Sequence, residues 1–537
     1  MSARDVENGV KRDFKRDVKR DVENGVNHNF ARAVKESNSE HPVKESKNYS
    51  IIALMIALFV SIFSFQLNIS MLSPALASME YELHISQVQV GLIQTVFFTS
   101  AALFSLFLPR LADHIGRKKV LLGILTATVI GSFISAITSN IVILSIGRIM
   151  QGSSGPMMPL CLIMLRERVK DGKRYARLMA ILTSVNGGIA GIDALVGGWM
   201  SSACGFRSIF WIMALIAVFA VFLVICTTEE SKAVNNAKMD WFGVITLSIA
   251  FLSMYIAIDE SQKLLNARFW IISLLVCVSI VFFIIFWQIE KHISNPMVST
   301  NYMKHRRTWG LLSTTLLTMT GVFAIMNGVV LKFAQDKISG IGLSEALVPF
   351  VTLTPYAIVG FLCGPISGFL ASKYGYRRVL RSGILVSIIG LLCGIFVMKN
   401  PSIPGLVALS VLLGISYAGV ANIMLNGLGI VLSPKDNPGY LPGMNAGAFN
   451  LGAGLSFAII YAIMGMFNVN ITQLSIQSSS SISASASSNA ASNAVQNVIT
   501  VVKSVPSCSS YVSSMIVGAV LLVGAILCSL WIPKSED

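Results

Sequence analysis

Pro109-Arg110-Leu111-Ala112-Asp113-His114-Ile115-Gly116-Arg117-Lys118-Lys119 is a charged turn between two long apolar segments. Two helices that cross a bilayer in opposite directions need a tight turn, which Gly116 permits because glycine adopts backbone angles that other residues avoid. They also need basic residues on the cytoplasmic side, and Arg117 and Lys118 supply them. The stretch therefore predicts two antiparallel membrane-spanning helices joined in the cytoplasm.

A weaker copy occurs in the second half of the chain, as Gly368-Phe369-Leu370-Ala371-Ser372-Lys373-Tyr374-Gly375-Tyr376-Arg377-Arg378. It also lies between two apolar segments, and Ser372 stands where the first copy has Asp113. Two such copies indicate a membrane protein with an internal repeat.

The composition excludes an ordinary soluble protein. Hydrophobic residues make up 54% and charged residues 12% of the 537 residues, which is about half the charged share of a soluble domain. The net charge of +15 would suggest nucleic acid in a soluble chain. The basic residues concentrate in alternate loops, however, so they indicate membrane topology and we expect no nucleic-acid partner.

Segments of about twenty apolar residues predict the membrane spans, because that length crosses the hydrocarbon core of a bilayer. The charge bias places the N-terminus in the cytoplasm, and the Trp residues lie near span ends, as an interfacial aromatic belt requires. Fourteen spans are predicted, at 51–73, 88–110, 119–138, 141–164, 176–200, 207–226, 242–258, 268–288, 308–331, 346–370, 378–398, 403–431, 441–467 and 511–532.

The sequence therefore predicts an all-α polytopic protein of the cell membrane with both termini in the cytoplasm. The segment Ser478 to Val501 is rich in Ser and almost without charge, so we expect disorder there. Cys204 and Cys508 fall in predicted external loops, but topology alone does not predict a disulfide between them, and no spacing indicates a metal site. The predicted parts are a low-complexity tail 1–50, a six-helix bundle 51–226, two extra spans with linkers 227–307, a second six-helix bundle 308–532 that includes the external loop 468–510, and a tail 533–537.

The order Leu-Ala-Asp-x-x-Gly-Arg-Lys in the first loop resembles the signature loop of the major facilitator superfamily. The segment Met239 to Gly243 at the start of span 7, and the aromatic-Arg-x-x-Phe pattern in Gly205 to Trp211, are similar to the fourteen-helix drug:proton antiporters of that superfamily. The resemblance covers residues from about 50 to 532. It implies a major facilitator fold with two six-helix bundles, two additional spans and alternating access.

The resemblance also implies a gate at the signature loops. Asp113 is expected to face the N-terminus of a helix from the opposite half, near 439–443, where the helix end carries a partial positive charge. The alternative is that these charges only set the topology. The residues expected in the gating loops are Asp113, Gly116, Arg117, Lys118, Gly375 and Arg377.

Two charged residues lie deep in predicted spans, and such charges mark function because they are unfavourable in lipid. Arg148 heads Arg-x-x-x-Gly, which resembles the family's motif for proton coupling; alternatively it extends toward the outer interface. Asp193-Ala194 replaces the Gly-Pro of the family's antiporter motif, and a buried acid can bind and release a proton. The alternatives are that Asp193 is solvated at the outer mouth or neutralised by Arg148.

Span 1 departs from the antiporter pattern, because Phe65 occupies the place where an acid is expected. Coupling must then depend on Asp193, use another ion, or be absent. Uncharged polar residues in the spans either line a central cavity or join neighbouring helices. They are Gln66, Asn68, Gln94, Asn186, Asn327, Asn422, Asn426, Asn445 and Asn450.

We therefore expect a secondary active transporter that exports small organic or drug-like molecules by proton antiport. One alternative is an importer or exchanger of a nutrient or metabolite, and another is a membrane receptor of the same fold that transports nothing. The absence of a Gly-x-x-x-x-Gly-Lys-Ser/Thr loop predicts no nucleotide cofactor, and no nucleophile adjoins a base, so no enzyme is predicted. The expected partners of the monomer are a small-molecule substrate, protons and the lipid bilayer.

Overall fold

The computed structural model describes residues 51–169, 172–230, 240–261, 268–293, 300–433, 440–476 and 498–533. The predicted tail 1–50 and most of the predicted tail 533–537 lie outside the described residues.

The first half of the chain folds into helices whose ends match local sequence signals. Ser86 and Gln89 form a capping box at the start of α3, and the Asn140 side chain accepts hydrogen bonds from the first turn of α5, so backbone N–H groups at these helix starts are satisfied. The helices are α1 (Ile51–Ser70), α2 (Leu76–Glu82), α3 (Gln87–Ile115), α4 (Arg117–Ile137), α5 (Ile141–Gly152), α6 (Met157–Arg168), α7 (Gly172–Cys204) and α8 (Arg207–Thr227).

The rest of the chain contains the linking helices and the second bundle. Two π-helical turns, Ile325–Val329 and Gly414–Ala421, interrupt long helices of this bundle. The helices are α9 (Trp241–Ser261), α10 (Phe269–His292), α11 (Thr300–Met303), α12 (Arg306–Ala324), α13 (Val330–Gln335), α14 (Val348–Val351), α15 (Leu353–Tyr374), α16 (Tyr376–Lys399), α17 (Ile403–Leu413), α18 (Asn422–Val431), α19 (Tyr440–Met466) and α20 (Cys508–Ser529).

The two bundles pack against each other through two equivalent helix pairs, α3 with α19 and α7 with α15. In each pair the second long helix of one bundle meets the fifth of the other, as an internal repeat requires. The two signature loops confirm the repeat locally, because Gly116 has φ 104° and Gly375 has φ 86° at the same point of each turn. The helices α9 and α10 pack mainly on each other, and α9 also touches α3.

Twelve helices in the described ranges are long and apolar enough to cross a membrane. They correspond to twelve of the fourteen predicted spans and confirm the polytopic helical fold. The segments predicted as 141–164 and 176–200 are also helical, but the first is broken between Gly152 and Met157, and the second is rich in glycine and polar residues. The count of fourteen spans therefore stays a prediction.

The predicted external loop 468–510 contains two paired β-strands; of the segment expected to be disordered, Ser478 to Val501, residues 498–501 belong to the second strand, which corrects the expectation there, and the rest lies outside the described residues. Strands β1 (Val469–Ile476) and β2 (Val498–Val505) pair antiparallel, with Val469 opposite Val505. Both strands are rich in Val, Ile and Thr, which favour extended backbone, and the Ser-rich composition of the whole loop hides this signal. The residues between the strands, 477–497, are not described. Cys204 and Cys508 are both free thiols.

Candidate functional site

A buried acid joins α7 to α1. Asp193 is 3% exposed, and Ser70 donates a hydrogen bond of 2.6 Å to its Oδ2. Gln66, one turn earlier on α1, donates to Ser70 Oγ at 3.1 Å. The other carboxyl oxygen, Oδ1, is buried and has no hydrogen-bond partner among the described residues. Of the acidic side chains whose burial is described in the two bundles, Asp193 alone is buried.

A buried guanidinium lies among three helices of the first bundle. Arg148 is fully buried and donates to three amide oxygens: Gln94 Oε1 at 2.6 Å, Gln151 Oε1 at 2.8 Å and Asn68 Oδ1 at 3.3 Å. Its guanidinium carbon lies 4.2 Å from the centre of the Phe97 ring, where the ring face attracts a cation. Arg148 thus links α5 to α1 and α3 through neutral partners.

These contacts exclude the alternatives considered for the two charges. Arg148 does not extend to an interface, because its side chain is enclosed, and among the described ion pairs none joins it to Asp193. Asp193 is not solvated at a mouth of the bundle, because it is buried against Ser70.

Four of the nine uncharged polar residues predicted to line a cavity join helices, and a fifth, Asn327, bonds within its own helix. Asn68 and Gln94 hold Arg148, as described above. Asn445 accepts a hydrogen bond of 2.6 Å from Thr315 on α12, and Asn450 donates to Ser105 on α3 at 3.3 Å. Asn327 donates to a backbone carbonyl of its own helix at 3.1 Å.

A smaller set remains accessible. Asn426 is exposed and donates to Asn422 Oδ1 at 3.1 Å, so the two residues share one face of α18, as their spacing predicts. This face follows the π-helical turn Gly414–Ala421, and such turns are frequent at functional sites. Gln66 is half-buried, and the side chain of Asn186 lies outside the described atoms.

The first signature loop is anchored to its own bundle. Lys118 Nζ donates to the carbonyl oxygens of Thr228 at 2.6 Å and Ile225 at 3.0 Å, and its backbone N–H donates to Glu230 Oε1 at 3.0 Å. Arg117 forms an ion pair with Glu167 at the end of α6. Lys118 thus satisfies carbonyl groups at the C-terminus of α8. The predicted contact of Asp113 with 439–443 is not tested, because the Asp113 side chain is not described.

The second signature loop repeats this arrangement. Arg377 donates to the Ile532 carbonyl oxygen at 2.9 Å, and Arg381 donates to the Ser529 carbonyl oxygen at 2.9 Å. Each loop therefore binds the C-terminal end of the last helix of its own bundle. The sequence analysis missed these partners, because backbone carbonyls carry no residue-specific signal.

The two bundles are bonded to each other at the end opposite the signature loops, where α1, α7 and α13 finish; we call this the distal end. Lys332 Nζ donates to Glu80 Oε2 at 2.5 Å, and Gln335 donates to the Pro74 carbonyl oxygen at 2.8 Å. Ser78 also forms a hydrogen bond with Glu345. The space left beside Glu80 and Lys332 is about 10 Å³, room for about one water molecule, so the distal end is closed.

The helices α7 and α15 are in contact toward the distal end, where Thr354 of α15 donates a hydrogen bond of 3.2 Å to the Gly191 carbonyl oxygen. Near the distal end a Cβ atom on Gly198 would lie 2.6 Å from the Glu345 carbonyl oxygen, whereas one on Gly368 would meet nothing within 4 Å. Ile366 and Phe369 are 57% and 68% exposed. Alternating access requires a state that is closed at one end, and the bonds at the distal end are those of such a state.

Comparisons with known proteins agree with this architecture. Residues 58–341 match the Major Facilitator Superfamily. The chain is 56% identical over 435 residues, or 80% of its length and 91% of the relative, to the uridine/deoxyuridine transporter of Lactococcus lactis subsp. cremoris (strain MG1363). It is 26% identical over 77% of its length, and 87% of the relative, to the quinolone resistance protein NorB of Staphylococcus aureus (strain MRSA252).

The fold is similar to the crystal structure of the nucleoside transporter NupG, with a TM-score of 0.55 and 16% identity over 90% of this chain and 100% of that one. The family match and the uridine/deoxyuridine transporter confirm the expectation of a transporter rather than an enzyme. The chain therefore belongs to the Major Facilitator Superfamily and is a secondary transporter of the membrane.

Proposed function

We propose that this protein takes up pyrimidine nucleosides of the uridine and deoxyuridine type across the cell membrane. The observation that carries this proposal is the 56% identity over 91% of the Lactococcus relative. It favours the alternative of a nutrient importer over drug export, because drug efflux is supported by a relative of 26% identity.

Proton coupling at Asp193 is the second part of the proposal. Asp193 is buried, has one hydrogen bond from another side chain, and keeps one buried oxygen without a partner in the described chain. A carboxyl group in such a place can change its protonation state when the surrounding helices move. We assign Arg148 the role of positioning the side-chain amides of Asn68, Gln94 and Gln151, because it donates a hydrogen bond to each of them.

Uptake of labelled uridine into proteoliposomes tests both parts. An imposed inward proton gradient is expected to drive accumulation of uridine, and excess deoxyuridine is expected to compete. Asp193→Asn is expected to abolish accumulation while leaving exchange of internal for external uridine intact, since exchange needs no net proton movement.

The matched control is Asp240→Asn. Asp240 is also buried and also keeps one carboxyl oxygen without a partner in the described chain, but it lies outside the two bundles, at the start of α9, where it accepts a hydrogen bond of 2.8 Å from Gly243 N–H. Asn caps a helix as well as Asp does, so Asp240→Asn is expected to accumulate uridine as the wild type does. Accumulation at wild-type level in Asp193→Asn would refute coupling there. If the protein transports no nucleoside and exports dye from cells, its function is drug export and not nucleoside uptake.

A further inference from the structure

An apolar crevice opens between α1 and α7 at the end near the signature loops. Its volume is about 390 Å³. Several of its walls are open to the surroundings, since Ile52, Ile56 and Ile181 are 71%, 49% and 54% exposed. The residues used below are Ile52, Ile56 and Phe59 of α1 and Arg174, Leu178 and Ile181 of α7.

The crevice exists because the two helices diverge. At their distal ends α1 and α7 are in contact, through the Ser70 to Asp193 hydrogen bond and through Gly197, whose Cβ position would overlap the Met71 carbonyl oxygen. Toward Ile51 and Arg174 the helices separate, and the crevice lies in the gap. An occupant of the gap would therefore hold apart the same two helices that Asp193 joins.

The lining excludes a nucleoside as the natural occupant. Ribose hydroxyls and a pyrimidine amide need several hydrogen-bond partners, and burying them without partners is unfavourable. The described lining offers one polar side chain, Arg174, among aliphatic and aromatic residues. An acyl chain matches such a surface, because it requires no hydrogen bonds.

The charge at the loop end of the crevice indicates which kind of lipid headgroup would bind there. Arg174 lies at the loop end of the crevice, and no acidic side chain is among the described lining residues. In the sequence, residues 166–177 contain six basic residues and two acidic ones, Glu167 and Asp171, so this segment is basic on balance, on the side predicted to be cytoplasmic. Basic pockets between membrane helices on that side attract anionic lipid headgroups.

We propose that the crevice between α1 and α7 is a binding site for one phospholipid with an anionic headgroup. An acyl chain lies along Ile56, Phe59 and Leu178, and the phosphate contacts Arg174. The lipid keeps the loop ends of α1 and α7 apart. The site is independent of which substrate the protein carries.

Native mass spectrometry of the full-length protein in detergent tests the proposal. The protein is titrated with phosphatidylglycerol and, separately, with phosphatidylcholine of the same acyl chains. One phosphatidylglycerol is expected to bind in preference to phosphatidylcholine. Arg174→Gln is expected to weaken that binding roughly fivefold, the factor given by about 1 kcal/mol for one basic side chain near an anionic surface. Ile56→Trp is expected to remove it by filling the crevice.

Two variants control for charge and for bulk. Lys291→Gln removes an exposed positive charge at the end of α10, and Leu215→Trp adds an indole at a position of α8 that is 64% exposed. Both are expected to bind phosphatidylglycerol as the wild type does. Equal binding of both lipids, unchanged binding in Ile56→Trp, or displacement of the lipid by uridine would each overturn the proposal.

Discussion

The ion pair between Glu80 and Lys332 is expected to set how often the distal end opens. It joins the two bundles, with 23% and 14% of the respective side chains exposed. A hydrogen bond between charged groups contributes about 1.5–3 kcal/mol, and the limited exposure reduces screening by solvent. Taking about 2 kcal/mol, loss of the pair changes the ratio of closed to open distal ends by roughly 30-fold.

The assay is the reactivity of a cysteine placed behind the pair. Leu76 is 5% exposed and lines the small space beside Glu80 and Lys332. Leu76→Cys is introduced into a protein whose eight native cysteines are replaced by Ser. A membrane-impermeant maleimide is then applied from the side predicted to be external. Glu80→Gln is expected to raise the labelling rate by up to about 30-fold.

The control is Glu82→Gln. Glu82 lies two residues away and pairs with Arg207 at 3.3 Å within the first bundle, so its loss is expected to leave labelling unchanged. The exchange Glu80→Lys with Lys332→Glu is expected to restore slow labelling. If the single variants label as slowly as the parent, or if the exchange labels as fast as Glu80→Gln, the pair does not control the distal end.

Three further predictions concern the turns, the buried guanidinium and α18. Gly116→Ala is expected to destabilise the protein by about 1–3 kcal/mol, because φ is 104° and the added Cβ would overlap Glu230. Thermal unfolding in detergent measures the change in stability. The control Gly368→Ala adds a Cβ that meets nothing within 4 Å and is expected to be neutral or stabilising. Arg148→Leu is expected to destabilise by about 3 kcal/mol or more, since it leaves three buried amide oxygens without their donor; unchanged thermal stability would contradict this. Asn426→Ala removes an exposed amide beside Asn422 and is expected to raise KM for uridine with no change in thermal stability. A lowered thermal stability with an unchanged KM would show instead that Asn426 contributes to helix packing.

The features that the sequence predicts correctly depend on local chemistry. Helices follow from runs of apolar residues, and the two signature turns follow from glycines at matching positions, Gly116 and Gly375, whose positive φ angles the structure confirms. Asn422 and Asn426 meet because they are four residues apart on one helix. In each case the interacting groups are close in the chain, so spacing alone determines their geometry.

The features that the sequence does not predict depend on distant pairing. Glu80 of α2 and Lys332 of α13 are 252 residues apart, and nothing in the sequence of either helix indicates the other. Arg148 could be identified as a buried charge, but its amide partners come from three helices whose packing decides which oxygens face it. The roles of Asp193 and Arg148 in transport remain predictions.

The position of Asp193 places the proposed proton site beside the contacts that close the distal end. Its hydrogen bond to Ser70 holds α7 against α1 within the first bundle. One turn away on α7, Gly198 packs against the Glu345 carbonyl, and Glu345 bonds to Ser78 across the two bundles. Gly191, two residues before Asp193, accepts a hydrogen bond from Thr354 of α15 at 3.2 Å. If Asp193 is the proposed proton site, a change in its charge is expected to act where α7 contacts the second bundle, and a small rotation of α7 there would alter the contacts that close the distal end.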